Sequence, residues 1–235
     1  MTSAQVLYDA VFHPARAMPQ VAESGRFLPA LVAATAAAIV FAALAVPRLD
    51  FARAALDAVD RKPDAAQMTP YQRVEAVVTA RKIGTVAGYS AAVLGPAAMA
   101  LGAAVALWLG FKLAGGTPAF RPTFAVAAFA QLPGAVRELL SLPAVLRSES
   151  IDPAVLPRLL PSSAGALLPA GAAGPGASFL FSVDLFSLWA VALTALGMAA
   201  VARVSPRRAA VATALLWLAW VAVFRVSLPT LGGAR

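Results

Sequence analysis

Five long apolar stretches, separated by polar segments or segments rich in Pro and Gly, dominate the hydrophobic pattern of the chain. The predicted spans are residues 27–46, 83–111, 123–146, 178–202 and 209–228. An α-helix of about 20 apolar residues crosses the ~30 Å hydrocarbon core of a bilayer, and each stretch is at least that long. The pattern therefore predicts an all-α, polytopic membrane protein that forms a bundle of five transmembrane helices.

The third stretch is the least regular of the five, because it contains Gln131, Pro133, Arg137 and Glu138. A proline inside a helix removes one backbone hydrogen bond and kinks or ends the helix. Two interpretations remain open for this segment. It crosses the membrane with a kink at Pro133, or it enters the membrane and stops near Arg137.

The polar segments predict shorter elements beside the membrane. Residues 1–26 form an N-terminal amphipathic or interfacial segment, and residues 27–235 form the transmembrane domain. Within residues 47–82, apolar side chains recur four apart from Phe51 to Val59, which indicates an interfacial helix that ends at Pro63. Thr69-Pro70-Tyr71-Gln72 is a helix-start pattern, and this helix is expected to continue into the second span.

Composition supports the assignment to the membrane. Hydrophobic residues make up 60% of the chain and charged residues 13%, against about 25% charged in ordinary soluble domains, and the mean hydropathy is +0.78. The formal net charge is +8, but the basic residues flank apolar spans, where they meet anionic headgroups. The expected partners are therefore the lipid bilayer and other membrane proteins or a second copy of the chain, and not nucleic acid.

Residues with catalytic or metal-binding chemistry are scarce. The chain has no Cys and a single His, His13, which excludes disulfides, thiol chemistry and a histidine-pair metal site. The phosphate-loop, HExxH and GxSxG patterns are absent from the sequence. The sequence therefore predicts a protein that is not an enzyme, with no catalytic, cofactor-binding or metal-binding residues and no cofactor.

A stripe of small residues lies along the second span. Gly84, Gly88, Gly95 and Gly102 fall near one helical face, and such a stripe lets another helix approach closely. We interpret it as a helix-packing stripe inside the bundle, and a homodimer contact is the alternative.

Four charged side chains form a candidate intramembrane polar cluster: Arg137, Glu138, Asp184 and Arg225. In a five-span topology they all lie toward one face, and an unpaired charge near the bilayer centre costs about 2.5–3.5 kcal/mol on insertion scales. Pairing is therefore expected. The cluster is either a structural ion-pair group with side chains that extend to the interface, which we favour, or a polar site for a headgroup, an ion or a partner helix.

Five short landmarks follow one another along the chain. They are Phe12-His13-Pro14, Phe27-Leu28-Pro29, Met68-Thr69-Pro70-Tyr71-Gln72-Arg73, Phe129-Ala130-Gln131-Leu132-Pro133 and Asp184-Leu185-Phe186-Ser187-Leu188-Trp189. Their order resembles the Yip-domain family, the Rab/Ypt-interacting proteins and their bacterial relatives. The resemblance implies a five-helix membrane bundle with a cytosolic N-terminus.

The resemblance does not carry the eukaryotic role with it. Eukaryotic members bind prenylated Rab-type GTPases through a long cytosolic N-terminal region with acidic-aromatic motifs. Here about 26 residues precede the first span and contain no such motif. The chain is instead similar to the bacterial members, which implies a multi-pass protein of the bacterial inner (cytoplasmic) membrane.

Two hypotheses for function follow. The first is a non-enzymatic scaffold, assembly factor or membrane-organising factor, and the second is a small transporter or permease subunit that uses the charged cluster. Membrane orientation is also open. Counting Lys and Arg favours a cytosolic location for the 47–82 side, whereas the resemblance favours a cytosolic N-terminus, which we adopt.

Overall fold

The computed structural model describes residues 2–61, 67–169, 172 and 174–227, and these residues are predominantly helical. Only two isolated β-bridges occur among them, Leu49 with Ile151 and Ser163 with Asp184. The prediction of an all-helical protein is confirmed for this part of the chain.

Ten α-helices form in the described residues. They are α1 (Ser3–Phe12), α2 (Pro14–Ser24), α3 (Leu28–Ala45), α4 (Phe51–Asp60), α5 (Pro70–Leu113), α6 (Phe120–Phe129), α7 (Leu132–Arg147), α8 (Pro175–Ser182), α9 (Leu185–Ala202) and α10 (Pro206–Trp220). A 3₁₀ turn, Val46–Arg48, extends α3, and a π-helical segment, Val221–Ser227, extends α10. Two further 3₁₀ turns, Leu156–Arg158 and Ala164–Leu167, lie between α7 and α8.

Among the described residues, four helical segments are long and apolar enough to cross a membrane: Leu28–Arg48, Pro70–Leu113, Leu185–Ala202 and Pro206–Ser227. They correspond to the first, second, fourth and fifth predicted spans. The fourth begins at Leu185 instead of residue 178, because the chain turns at Val183 and Asp184 and separates α8 from α9. The predicted end of the fifth span, residue 228, lies outside the described residues.

Helix α5 confirms the start that its sequence pattern predicts. The Thr69 side chain accepts a hydrogen bond from the Gln72 backbone N–H, and the Gln72 side chain accepts one from the Thr69 backbone N–H, which completes a capping box. The helix then continues for 44 residues, or about 66 Å. Helix α4 is also present where the pattern predicts it and packs against α5. Its predicted terminator, Pro63, lies outside the described residues.

The third apolar stretch is a broken helix. Helices α6 and α7 are separated by Ala130 and Gln131, and Pro133 lies in the first turn of α7. A proline at 133 has no N–H to donate to the carbonyl of Phe129, and its ring clashes with that carbonyl, so α6 ends at Phe129. The break therefore precedes the predicted kink position by two to three residues.

The side chain of Gln131 links this break to the long helix α5. Its Nε2 donates a hydrogen bond of 3.1 Å to the backbone carbonyl of Pro96. At the break itself, the N–H of Ala130 bonds to the Val126 carbonyl and the N–H of Gln131 bonds to the Ala128 carbonyl. These bonds matter because an unsatisfied backbone group in an apolar environment is costly.

Helix α6 lies at the centre of the bundle. Five consecutive residues, Ala125–Phe129, are buried on all sides, and α6 packs against α2, α3, α5 and α9. The approach to α9 is close, because a β-carbon at Gly197 would lie 2.6 Å from Val126 Cγ2. Small side chains on both helices therefore let the central helix fit.

The N-terminal segment has two parts with different environments. Helix α1 carries exposed aromatic side chains, Tyr8 and Phe12. Helix α2 instead packs against α6 and α9 and buries Met18 and Val21 in the main core. Helix α2, which lies in the segment predicted to be interfacial, therefore packs against α6.

Candidate functional site

Asp184, one of the four predicted cluster residues, caps helix α9. Its Oδ1 accepts hydrogen bonds from the backbone N–H groups of Phe186 at 2.8 Å and Ser187 at 2.9 Å. In return, the Ser187 hydroxyl accepts a bond from the Asp184 N–H. Asp184 is only 8% exposed, and its Oδ1 is satisfied by the first turn of its own helix.

The backbone around Asp184 also holds the loop that precedes α8. The N–H of Ala164 bonds to the Val183 carbonyl at 2.9 Å, and the N–H of Leu185 bonds to the Ser162 carbonyl at 3.1 Å. The capped start of α9 is therefore bonded to the middle of the Pro- and Gly-rich loop, at residues 162 and 164.

The other three cluster residues do not join Asp184. Arg137 and Glu138 are adjacent and half-buried on α7, while Arg225 is exposed with its guanidinium carbon 5.9 Å from the centre of the Trp220 ring. Within the described residues the ion pairs are His13 with Asp9 and Arg73 with Asp60, so none joins two members of the predicted cluster. The expected ion-pair group is not formed there.

The predicted glycine stripe divides into two halves with different neighbours. A β-carbon at Gly84 would overlap the Phe51 ring, and one at Gly88 would lie 2.8 Å from Val46 Cγ2. A β-carbon at Gly95 or at Gly102 would have no described atom within 4 Å. The first half packs against the end of α3 and the start of α4, and the second half faces outward.

The five sequence landmarks coincide with helix starts. Pro14 opens α2, Pro29 lies in the first turn of α3, Thr69 and Pro70 open α5, Pro133 lies in the first turn of α7, and Asp184 caps α9. Proline suits the first helical turn because its missing N–H has no partner there in any case. The landmarks therefore specify where helices begin.

Comparison with known families gives a match over nearly the whole chain. The profile described as the Yip1 domain matches residues 8–227. Neither the curated proteins nor the solved structures include a match to the chain. Within its described residues the chain has no group of three His, Asp or Glu side chains positioned to hold a metal ion.

The capping role of Asp184 predicts a specific mutational pattern. Asp184→Ala removes the acceptor for two N–H groups and should lower the free energy of unfolding by about 1–2 kcal/mol. Asp184→Asn keeps an acceptor oxygen and should retain most of the stability. Thermal or denaturant unfolding of the purified protein in detergent measures both. Equal destabilisation by the two variants would contradict capping and indicate that the charge itself is required.

The division of the glycine stripe predicts a second pattern. Gly88→Ala should destabilise the bundle by about 1–3 kcal/mol, because the added methyl group overlaps Val46. Gly95→Ala is the matched control on the same helix, and it should be neutral or slightly stabilising, since alanine favours helix more than glycine does. Unfolding midpoints of the two variants test this directly, and a reversed order would rule out the packing assigned to Gly88.

Proposed function

Because the chain belongs to the Yip1 domain family, we propose that it is a non-enzymatic scaffold that organises or assembles other proteins in the membrane. The observation that carries this proposal is the location of the five landmarks. Each begins a helix, which supports a structural role for the residues that carry the family resemblance. A protein that acts through its shape is suited to holding partners in the bilayer.

We propose five membrane spans, with α6 and α7 together as the third. The broken pair covers residues 120–147, or about 40 Å of helix, which is sufficient to cross a ~30 Å hydrocarbon core. The break at Ala130 and Gln131 is half-buried, and irregular backbone is tolerated at membrane depth where protein surrounds it. We also propose that the chain is a multi-pass protein of the bacterial inner membrane with its N-terminus in the cytosol.

The outer face of α5 supports a partner-binding role. Gly95 and Gly102 lie on the outward half of the stripe, beside exposed apolar side chains such as Leu94 and Leu101. Small residues on an exposed membrane helix allow a second helix to approach to backbone contact. We propose that a helix of a partner protein docks on this face.

Affinity purification after cross-linking in native membranes tests the proposal. The tagged chain should recover a defined membrane protein in constant ratio, and Gly95→Leu combined with Gly102→Leu should lower that recovery at least about fivefold without lowering the unfolding midpoint. Val86→Leu, which adds bulk at another exposed position of α5, is the control and should have no effect.

The competing hypothesis of a transporter makes the opposite prediction for the charged residues. Partner recovery should be insensitive to Glu138→Gln and Asp184→Asn if the chain is a scaffold. Substrate-dependent flux into proteoliposomes that these two variants abolish would contradict the scaffold and establish transport.

A further inference from the structure

A cavity opens between helix α5 and the corner where the Val46–Arg48 turn leads into α4. Its volume is about 380 Å³, at the lower end of the ~300–1,000 Å³ that small-molecule sites occupy. One wall is formed by residues 46, 47 and 49–52 of the corner, and the other wall by Arg81, Thr85 and Tyr89 of α5. The two walls differ in the charge that they present.

The α5 wall changes from charged to apolar along one helical face. Arg81, Thr85 and Tyr89 are four residues apart, so their side chains lie one above the other. The face continues with Val93, which is 53% exposed. Over about 12 Å of helix, a guanidinium is followed by a hydroxyl and then by a phenol, which matches the change in polarity from a headgroup to an acyl chain.

The opposite wall presents a carboxylate. Oδ1 of Asp50 accepts a hydrogen bond of 2.9 Å from the Arg53 N–H, whereas Oδ2 has only a long contact of 3.5 Å from the Ser150 hydroxyl. The neighbouring Arg48 donates to the Leu44 carbonyl at 2.6 Å. Oδ2 of Asp50 therefore retains lone pairs for a cationic ligand.

The two charges do not neutralise each other. Asp50 and Arg81 both line the cavity, yet neither is in an ion pair with any residue of the described chain. A guanidinium and a carboxylate on opposite walls of one cavity are complementary to a ligand that carries both an anion and a cation.

The cavity lies where the membrane boundary is expected. The uncharged part of α5 begins at Ile83, directly after Arg81 and Lys82. Gly84 and Gly88 hold the corner against α5 at this same level. Arg81 is therefore at headgroup depth and Tyr89 lies about 12 Å farther along the helix, toward the hydrocarbon.

We propose that this cavity binds the headgroup of an aminophospholipid, a phosphate diester that carries a primary ammonium group. The phosphate lies at Arg81, whose planar donors suit phosphate oxygens. The ammonium group donates to Asp50 Oδ2, and the first part of the acyl chains follows Thr85 and Tyr89. A choline headgroup fits less well because its quaternary nitrogen has no N–H donor. The proposal does not depend on the scaffold function.

Native mass spectrometry of the purified full chain tests the proposal with phosphatidylethanolamine, phosphatidylcholine and phosphatidylglycerol of identical acyl chains. Phosphatidylethanolamine should bind at least about tenfold more tightly than the other two, since only it combines a phosphate for Arg81 with an ammonium N–H donor for Asp50. Arg81→Gln should weaken its binding about tenfold or more. Asp50→Asn, which keeps an oxygen to cap α4, should reduce it to the level of phosphatidylcholine.

Two charge-matched control variants distinguish lipid binding in the cavity from a nonspecific effect of charge at the membrane surface. Lys82→Gln and Asp57→Asn remove the same charges from exposed positions of the same two helices outside the cavity, and neither should change lipid selectivity. Thr85→Phe should block the cavity and weaken phosphatidylethanolamine binding without a change in charge. The proposal is overturned if the three lipids bind equally, or if the controls weaken binding as much as the cavity variants do.

A displacement experiment distinguishes a lipid from a soluble phosphate ester as the ligand of the cavity. Phosphoethanolamine, which has the same headgroup chemistry without acyl chains, should fail to displace the lipid at millimolar concentration. Displacement at micromolar concentration would show a site for a soluble phosphate ester and contradict the assignment to a lipid.

Discussion

The hydrogen bonding at the break between α6 and α7 is the constraint on which the rest of the bundle depends. Pro133 ends α6 at Phe129, and a helix that ends among apolar neighbours must satisfy its backbone groups locally. The N–H groups of Ala130 and Gln131 bond to carbonyls of the preceding turn, and the Gln131 side chain links the break to the Pro96 carbonyl of α5. The short central helix that results is enclosed by α2, α3, α5 and α9.

Features that depend on residues close together in the sequence could be predicted from it. The start of α5 at Thr69 and Pro70 follows from a capping pattern that acts within four residues, and the long apolar helices follow from composition alone. Pro133 predicts a kink, but its effect falls on the preceding residues, so the helix breaks at Ala130 and Gln131. Asp184-Leu185-Phe186-Ser187 also contains a local signal, an N-cap residue with a serine three positions on, and could have been interpreted as a cap.

Features that depend on lateral packing could not be predicted. The predicted five-span topology assigns Arg137 and Asp184 to one face of the membrane, but it does not say which helices are neighbours. In the structure Asp184 caps α9 instead of pairing with an arginine. The burial of Met18 in α2 likewise arises from contacts with α9, far away in the sequence. The cavity with Asp50 and Arg81 joins two segments whose spacing carries no recognisable motif.

Single-cysteine labelling in this Cys-free chain tests most directly whether the broken α6–α7 pair crosses the membrane. Cysteines at Thr117, Glu149 and Arg207 would be probed with a membrane-impermeant thiol reagent in intact cells and in inverted vesicles. A five-span bundle places residues 117 and 207 on one side and residue 149 on the other. If residues 117 and 149 are labelled from the same side, the pair enters and leaves by one face, and the five-span bundle is contradicted.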